Sequence, residues 1–495
     1  MSEMMIVRES GENVATLSVL HGETILGVLQ REGLEMPDIC GIHGVCGKCR
    51  IRMLDGAVMP SMIDTQLFTA EEIESGVRLA CMARPMEDCV VQLTFIDDEL
   101  KRQQAESMEN AGETRTEKTS MITNENVQRG EKNYAVAIDL GTTTIGMQLI
   151  DTNQGKVLHS CGALNPQRKY GADVISRIKA DANGLGDELK HSVKEVIREN
   201  LVKLAEAESI SPGELRGIYL AGNTTMLHIL LGYACDSLGQ YPFKPVTLSR
   251  QRFISKELFY LPIVILPGIS AFVGADIVAG LYEMGFGEED EINMLIDLGT
   301  NGELALGNRE RILCTATAAG PAFEGKFGLD MKGSDLISVV ADLLDEGIID
   351  HTGLLQEPYF EKGYEVNGEL LRQADIRDLQ VAKAATCVGI QSLVKEYRIS
   401  YDDISHIYLA GGFGHYLNVE KAIRIGLFPK ELNDRIVAVG NTSLQGTVRY
   451  ACHDEEPIKE LEMIRNVTKE FNLALQKDFG DDYVAALTFP KPKEP

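Results

Sequence analysis

The sequence predicts a multidomain protein of α+β and α/β class: a small strand-rich domain with a cysteine cluster, a polar linker, and a large core of two related halves. Three observations predict it. Four cysteines, Cys40, Cys46, Cys49 and Cys81, gather near the start of the chain. Residues 101–132 carry no aromatic side chain and are dominated by Glu, Lys, Thr, Asn and Gln, a composition that cannot bury enough surface to fold. Beyond them, two patterns recur in the same order. Ala137-Ile138-Asp139-Leu140-Gly141-Thr142-Thr143-Thr144 is matched by Leu295-Ile296-Asp297-Leu298-Gly299-Thr300-Asn301-Gly302, and Ile218-Tyr219-Leu220-Ala221-Gly222-Asn223 by Ile407-Tyr408-Leu409-Ala410-Gly411-Gly412. Two elements repeated in order imply two related halves with a cleft between them. The expected divisions are 1–98, 99–133, 134–285 and 286–495, the last with a C-terminal tail.

Composition narrows the function classes. The chain has 495 residues, enough for several independently buried cores. Its 48 basic against 74 acidic residues give a formal charge of −26, which argues against nucleic acid or anionic lipid as a main partner. Charged residues interrupt the first twenty positions, so no export signal is indicated, and the longest apolar run, Leu261 to Val273, is too short to cross a bilayer. A cytoplasmic protein is expected. In a reducing compartment, five cysteines crowded before residue 90 point to metal rather than to disulfides.

Taken in order, residues 4–19 read as two strands around a Gly11–Asn13 turn, and Glu23–Glu32 as a helix with Ile25, Val28 and Leu29 on one face, ended by Gly33. The cysteines follow with C-x5-C-x2-C spacing and a distant fourth, Cys81. Glycines at 41, 44 and 47 let that loop fold tightly, with N–H groups free to aim at sulfur. Structural zinc is the competing reading, but it usually takes two compact C-x2-C pairs, whereas three close cysteines and one remote one fit a [2Fe–2S] cluster. Arg50–Leu54 and Val90–Phe95 read as strands, and Thr69-Ala70-Glu71-Glu72 as a capping box opening a helix that Gly76 closes. His43 reads as a solvated loop residue and Cys89 as a small core residue. This region resembles the [2Fe–2S] ferredoxins of β-grasp fold, in a five-spaced variant.

The linker, as a coil of 32 residues, would span roughly 30 Å on average. In each half of the core, a buried strand delivers a carboxylate into a turn of glycine and hydroxyl residues. Glycines admit backbone N–H groups to phosphate oxygens, threonine hydroxyls add donors, and an Asp suits Mg²⁺. Asp139, Gly141, Thr142, Thr143 and Thr144 in the first loop, and Asp297, Gly299, Thr300 and Gly302 in the second, are therefore candidate ligands of a metal-bound phosphate. Asn165–Asp173 reads as a loop carrying Arg168 and Lys169, Leu189–Ala207 as a helix, and Ile218–Leu220 as a strand entering the Gly222–Thr225 turn. Asp276 opens a helix of small residues, either as a functional carboxylate or as one that simply complements the helix dipole. Gly320 and Pro321 lie in a glycine-rich loop near the expected nucleotide. Gly411, Gly412 and Phe413 have the form of an adenosine-pocket turn, and Val439–Gly446 opens a helix. Glu455–Leu475 reads as one helix, followed by a short strand or turn.

The order of these motifs resembles the actin, sugar-kinase and heat-shock ATPase superfamily. That resemblance implies two ribonuclease-H-like domains closing on Mg-ATP, with Asp139 and Asp297 near the metal. It also marks Asp276 as the candidate for orienting an attacking water, with Glu303 as its rival.

The full combination of five-spaced ferredoxin, polar linker and this ATPase resembles the reductive activators of corrinoid proteins. The resemblance implies that inactive Co(II) corrinoid in a methyl-transfer protein is reduced to Co(I), with a low-potential donor supplying electrons and ATP making the step possible. Moving one electron against 100 mV costs about 2.3 kcal/mol, a sum ATP-driven closure could supply. A homodimer fits the family, although residues 99–133 leave no room for the extra folded domain of its longest members. Two other classes stay open: a small-molecule kinase with a redox-regulatory ferredoxin domain, and a redox module that senses nucleotide without hydrolysing it.

Overall fold

In the computed structural model the described residues are 2–7, 13–20, 22–31, 49–56, 58–61, 64–85, 87–93, 134–171, 173–299, 302–317, 323, 333–366, 368–411, 414, 416–453 and 456–491. They divide into two compact units, Met1–Gln103 with Pro166–Ala180, and Gln104–Asn165 with Asp181–Pro495. The proposed linker 99–133 lies outside the described residues.

In the first unit, β1 (Ser2–Val7) and β2 (Asn13–Val19) pair antiparallel, as their alternating pattern predicts. β3 (Arg50–Asp55), β4 (Val77–Leu79) and β5 (Cys89–Leu93) complete a five-stranded sheet of order β2-β1-β5-β3-β4, in which β1 and β5 run parallel. Helix Ile25–Arg31 buries Ile25, Val28 and Leu29, the face expected from their spacing. This is a β-grasp sheet with its helix. The capping box is present: Thr69 N–H donates to Glu72 Oε2 at 2.8 Å, and Glu72 N–H to Thr69 Oγ1 at 3.2 Å. Gly76 then turns the chain at φ +93°, against the Met53 carbonyl, where any Cβ would collide at 2.3 Å. Cys89 is a core residue, 4% exposed.

The second unit carries the duplication. β6 (Tyr134–Leu140), β7 (Thr144–Asp151) and β8 (Lys156–Leu164) form an antiparallel meander; β9 (Ile218–Gly222) lies parallel to β6; β10 (Gln251–Ser255) and β11 (Leu261–Ile265) extend the sheet beyond β9. The second half repeats this. β12 (Asn293–Leu298), β13 (Gly302–Gly307) and β14 (Ile312–Thr317) form the meander. After a small hairpin, β15 (Tyr364–Val366) and β16 (Glu369–Leu371), β17 (His406–Ala410) pairs parallel to β12, and β18 (Ile436–Gly440) parallel to β17. Even the register repeats: Asp139 lies opposite Ala221, and Asp297 opposite Ala410. The inner strands are almost continuously apolar because helices cover both faces of a parallel pair. Helix Gln373–Tyr397, for example, contributes Ile376, Leu379, Ile390 and Leu393 to a core shared with Leu304, Leu306 and Leu409.

Two helices opening after β11 and β18, Ala275–Glu283 and Thr442–Cys452, pack directly on one another. Their approach is set by glycine: a Cβ on Gly446 would stand 2.0 Å from the Ala279 carbonyl oxygen, and one on Gly280 would meet Thr442 Oγ1 at 2.8 Å.

The tail corrects the sequence reading. The helix runs from Glu456 to Val467 and stops short of Leu475. At the β-branched pair Val467-Thr468 the chain turns extended, and β19 (Thr468–Glu470) adds parallel to β14. The Thr468 hydroxyl bonds the Ile464 carbonyl at 2.6 Å, which satisfies the last helical turn. Residues 487–490 are then held by backbone: Gln380 Nε2 donates to Leu487 O at 2.6 Å, Lys383 Nζ to Thr488 O at 2.5 Å, and Phe489 N–H to His351 O at 2.8 Å. The segment after Asn165, expected as a loop, is wound into a 3₁₀ turn, Pro166–Tyr170, before helix Val174–Ala180. Among the described residues, no helix is long and apolar enough to cross a membrane.

Candidate functional site

The first site is a pair of thiols. Cys49 directly precedes β3, and Cys81 follows β4. Because β3 and β4 pair with Arg50 opposite Leu79, and Ala80 N–H donates to Cys49 O at 2.7 Å, the two sulfurs come together at 3.2 Å. Both residues are 2% exposed. That separation is far beyond the ~2.05 Å of a disulfide and a little inside the ~3.8 Å separating two thiolates on one tetrahedral metal. The donor set therefore fits a shared metal atom. Cys40 and Cys46 lie outside the described residues. Sequence reading missed Asp64, which is 1% exposed and accepts N–H bonds from Ser61 at 2.6 Å and Leu79 at 2.9 Å, fixing the turn that presents Cys81. A carboxylate 15 residues away in sequence from the amide it anchors leaves no local signature.

The second site lies in the duplicated core. Asp139 and Asp297 stand near the ends of matched strands, Asp276 at the second position of helix Ala275–Glu283, and Glu303 directly opposite Asp297 across the β12–β13 pair. All four keep partial solvent access but sit deep in protein. Burial pushes Asp276 and Asp297 up to about 7, and the negative charge of Asp139 adds to both shifts. Burial first, and then the charges of Asp276 and Asp297, hold Glu303 well above the ordinary carboxyl range. Asp139 is raised by burial and opposed by two hydrogen bonds, from Asn441 Nδ2 at 2.8 Å and Ser443 Oγ at 2.7 Å. Burial and mutual charge thus raise the proton affinity of these carboxylates, and a nearby positive charge would lower it. Among the described residues no three acidic, imidazole or thiol side chains close on one point.

The loops around these acids are built for close backbone approach. Gly141 N–H closes its turn on Thr144 O at 3.0 Å, and Asn165 rivets the loop, its N–H to Thr143 O and its Nδ2 to Gly141 O, each at 2.8 Å. A Cβ at Gly141 would lie 2.9 Å from Thr144 O. Thr142 is buried within this turn, Thr143 is half-buried, and Thr144 opens β7. Gly299 is described and Gly302 begins β13, its carbonyl accepting from the Thr317 hydroxyl at 3.0 Å; Thr300 lies outside the described residues. Gly411 turns at φ +86°, donates to Gly440 O at 2.9 Å, and leaves room for only 3.1 Å between a Cβ and Asp297 Oδ1. Gly320, Pro321, Gly412 and Phe413 lie outside the described residues. Asn441 and Ser443 were not picked out in sequence, because their partner is some 300 positions away.

A pH prediction follows from Asp297. In the unfolded chain it ionises near 3.8, in the fold near 7. The group's contribution to stability is therefore full below pH 4 and is lost as pH rises through about 7. Asp297→Asn, which cannot ionise, is expected to raise the melting temperature of the nucleotide-free protein at pH 8 and to flatten its decline between pH 5 and 8. Differential scanning calorimetry across that range checks this; a variant that melts below wild type at pH 8 would refute it.

Known protein families match both regions of the chain. A family model described as a 2Fe-2S iron-sulfur cluster binding domain matches residues 7–86, one described as the RACo middle region matches 134–289, and one described as the C-terminal domain of RACo, the ASKHA domain, matches 291–329 and 328–494. The chain is 30% identical over 425 residues to the corrinoid activation enzyme RamQ of Eubacterium limosum, covering 72% of this chain and 70% of that protein. It is 24% identical over 422 residues to the [Co(II) methylated amine-specific corrinoid protein] reductase of Methanosarcina barkeri, covering 72% and 77%. The solved structure of a reductive activator for corrinoid, iron-sulfur protein aligns over 99% of each chain, with a TM-score of 0.66 and 25% identity.

Proposed function

This chain belongs to the corrinoid reductive-activator family, and from that premise we propose that it is an ATP-dependent reductase that returns the Co(II) corrinoid of a methyl-transfer protein to Co(I). The observation that carries the reading is the coexistence, in one chain, of a buried thiol pair 3.2 Å apart and a duplicated core whose buried acids feel one another's charge. An electron carrier needs no fuel to run downhill. Joining the two makes sense where the reduction is uphill or gated.

Cys40, Cys46, Cys49 and Cys81 would hold the [2Fe–2S] cluster, which supplies a one-electron carrier when bound. The β-grasp sheet keeps Cys49 and Cys81 out of water. Gly141, Thr142, Thr143, Thr144, Gly299, Thr300 and Gly302 would bind the phosphates of ATP through backbone and hydroxyl donors, and Asp139 and Asp297 would hold Mg²⁺, which supplies charge neutralisation at the phosphates. Gly320, Pro321, Gly411, Gly412 and Phe413 contribute the loops around the nucleotide. Asp276 orients the attacking water and accepts its proton, with Glu303 as the alternative. The organisation we infer is a cluster domain over 1–98, a joining segment over 99–133 and core halves over 134–285 and 286–495, supported by the ranges of the family matches. A low-potential donor, a cytoplasmic setting and a homodimer complete the reading.

The test mixes a low-potential reductant, this protein and an oxidised corrinoid protein, and follows the cobalt absorption spectrum with and without ATP. Conversion to Co(I) should require both protein and ATP. Absence of phosphate release, with or without the corrinoid protein, would sink the ATPase.

A further inference from the structure

We propose that Asn441 and Ser443 are positioning residues that hold the Asp139 carboxylate in one orientation from the opposite half of the duplicated core. The inference rests on the nucleotide reading above and assigns work that the sequence motifs leave unassigned.

Each oxygen of Asp139 has its own donor: Oδ2 takes Asn441 Nδ2 at 2.8 Å and Oδ1 takes Ser443 Oγ at 2.7 Å. Neither donor is free to wander. The Asn441 side chain is already fixed at its other end, where Oδ1 accepts the Leu444 N–H at 2.8 Å as the cap of helix Thr442–Cys452. Ser443 is 3% exposed. Two bonds to one carboxylate remove its rotation about the Cβ–Cγ bond, which one bond would not.

The duplication shows what is special here. Helix Ala275–Glu283 follows β11 as helix Thr442–Cys452 follows β18, capped by Gly274 and Asn441 respectively. Counting from those caps, Asp276 and Ser443 occupy the same, second, position. One half places a carboxylate there and the other a hydroxyl. Likewise, in the strand register Asp297 faces Glu303, whereas its twin Asp139 faces Gly146. The matched loops have thus diverged. Asp297 keeps company with acids and, among the described residues, no side chain donates a hydrogen bond to it, while Asp139 is clamped by two neutral donors. The clamp is rigidly carried, since the tight contacts of Gly446 with Ala279 and of Gly280 with Thr442 stop the two helices sliding.

The test is steady-state ATP hydrolysis and direct Mg-ATP binding by the full-length protein. Loss of one hydrogen bond to a charged group should lower kcat by about tenfold to a hundredfold in Ser443→Ala, with Kd for Mg-ATP changed by less than about threefold. Ser443→Thr, which keeps the hydroxyl, should retain most of the rate. Asn441→Ser, which keeps the helix cap but loses the amide, should lower kcat as Ser443→Ala does, and serves if the alanine variant does not fold. A merely structural role would reduce thermal stability without this split. Variants that hydrolyse ATP like wild type, or that lose affinity in proportion while kcat holds, would overturn the inference. Wild type that neither binds nor hydrolyses ATP would overturn the nucleotide reading and this inference with it.

Discussion

Cys81→Ala protein is expected to lose its visible iron–sulfur absorption, most of its bound iron, and at least a hundredfold of its rate of cobalt reduction, while ATP hydrolysis by the core persists. The reason lies in geometry. Cys81 is 2% exposed, stands 3.2 Å from Cys49, and is presented by a turn that Asp64 and the β3–β4 pairing hold in place. Cys89 is a poor substitute, being fixed in β5 with its thiol pushed up to about 11 by burial and by the charges of Asp88 and Asp55. Iron analysis and electron paramagnetic resonance of anaerobically purified protein check this. Full iron content with an unaltered signal would remove Cys81 from the ligand set.

Asp276→Asn should lower ATP hydrolysis by about a hundredfold to ten-thousandfold, the range a general base contributes, with Mg-ATP affinity changed far less. Asp276 is poised for this because its Oδ1 is steadied by the Ile277 N–H at 2.8 Å while burial and the Asp139 charge hold its proton affinity near neutrality, at about 7. An ordinary carboxylate near 4 would be a poor base at pH 7. The rival is tested in the same assay. If Glu303→Gln removes the rate and Asp276→Asn leaves it, the two exchange roles.

Much of this was legible in the sequence, for a physical reason. The capping box at Thr69–Glu72, the helix face of Ile25, Val28 and Leu29, and the strands that carry Asp139 and Asp297 are local patterns, and each folds as its spacing demands. Repetition did the rest, because two copies of a strand and loop reveal a shared sheet register that one copy would not. What escaped was non-local. Asp64 acts on the amide of Leu79, Asn441 and Ser443 act on Asp139, and Thr468–Glu470 becomes a strand only because β14 offers an open edge. In each case a tertiary partner distant in sequence completes what local composition leaves open.

The crossing of the two central helices also speaks of origin. Gly446 and Ala279 sit at the same count from their caps and meet each other, the self-matching contact of a twofold symmetric pair. A seam of that kind at the centre of one chain has the geometry that fusion of two identical subunits would leave. Fusion frees each copy to mutate alone, which symmetric dimers cannot do, and so lets one former subunit become the acid and the other its anvil.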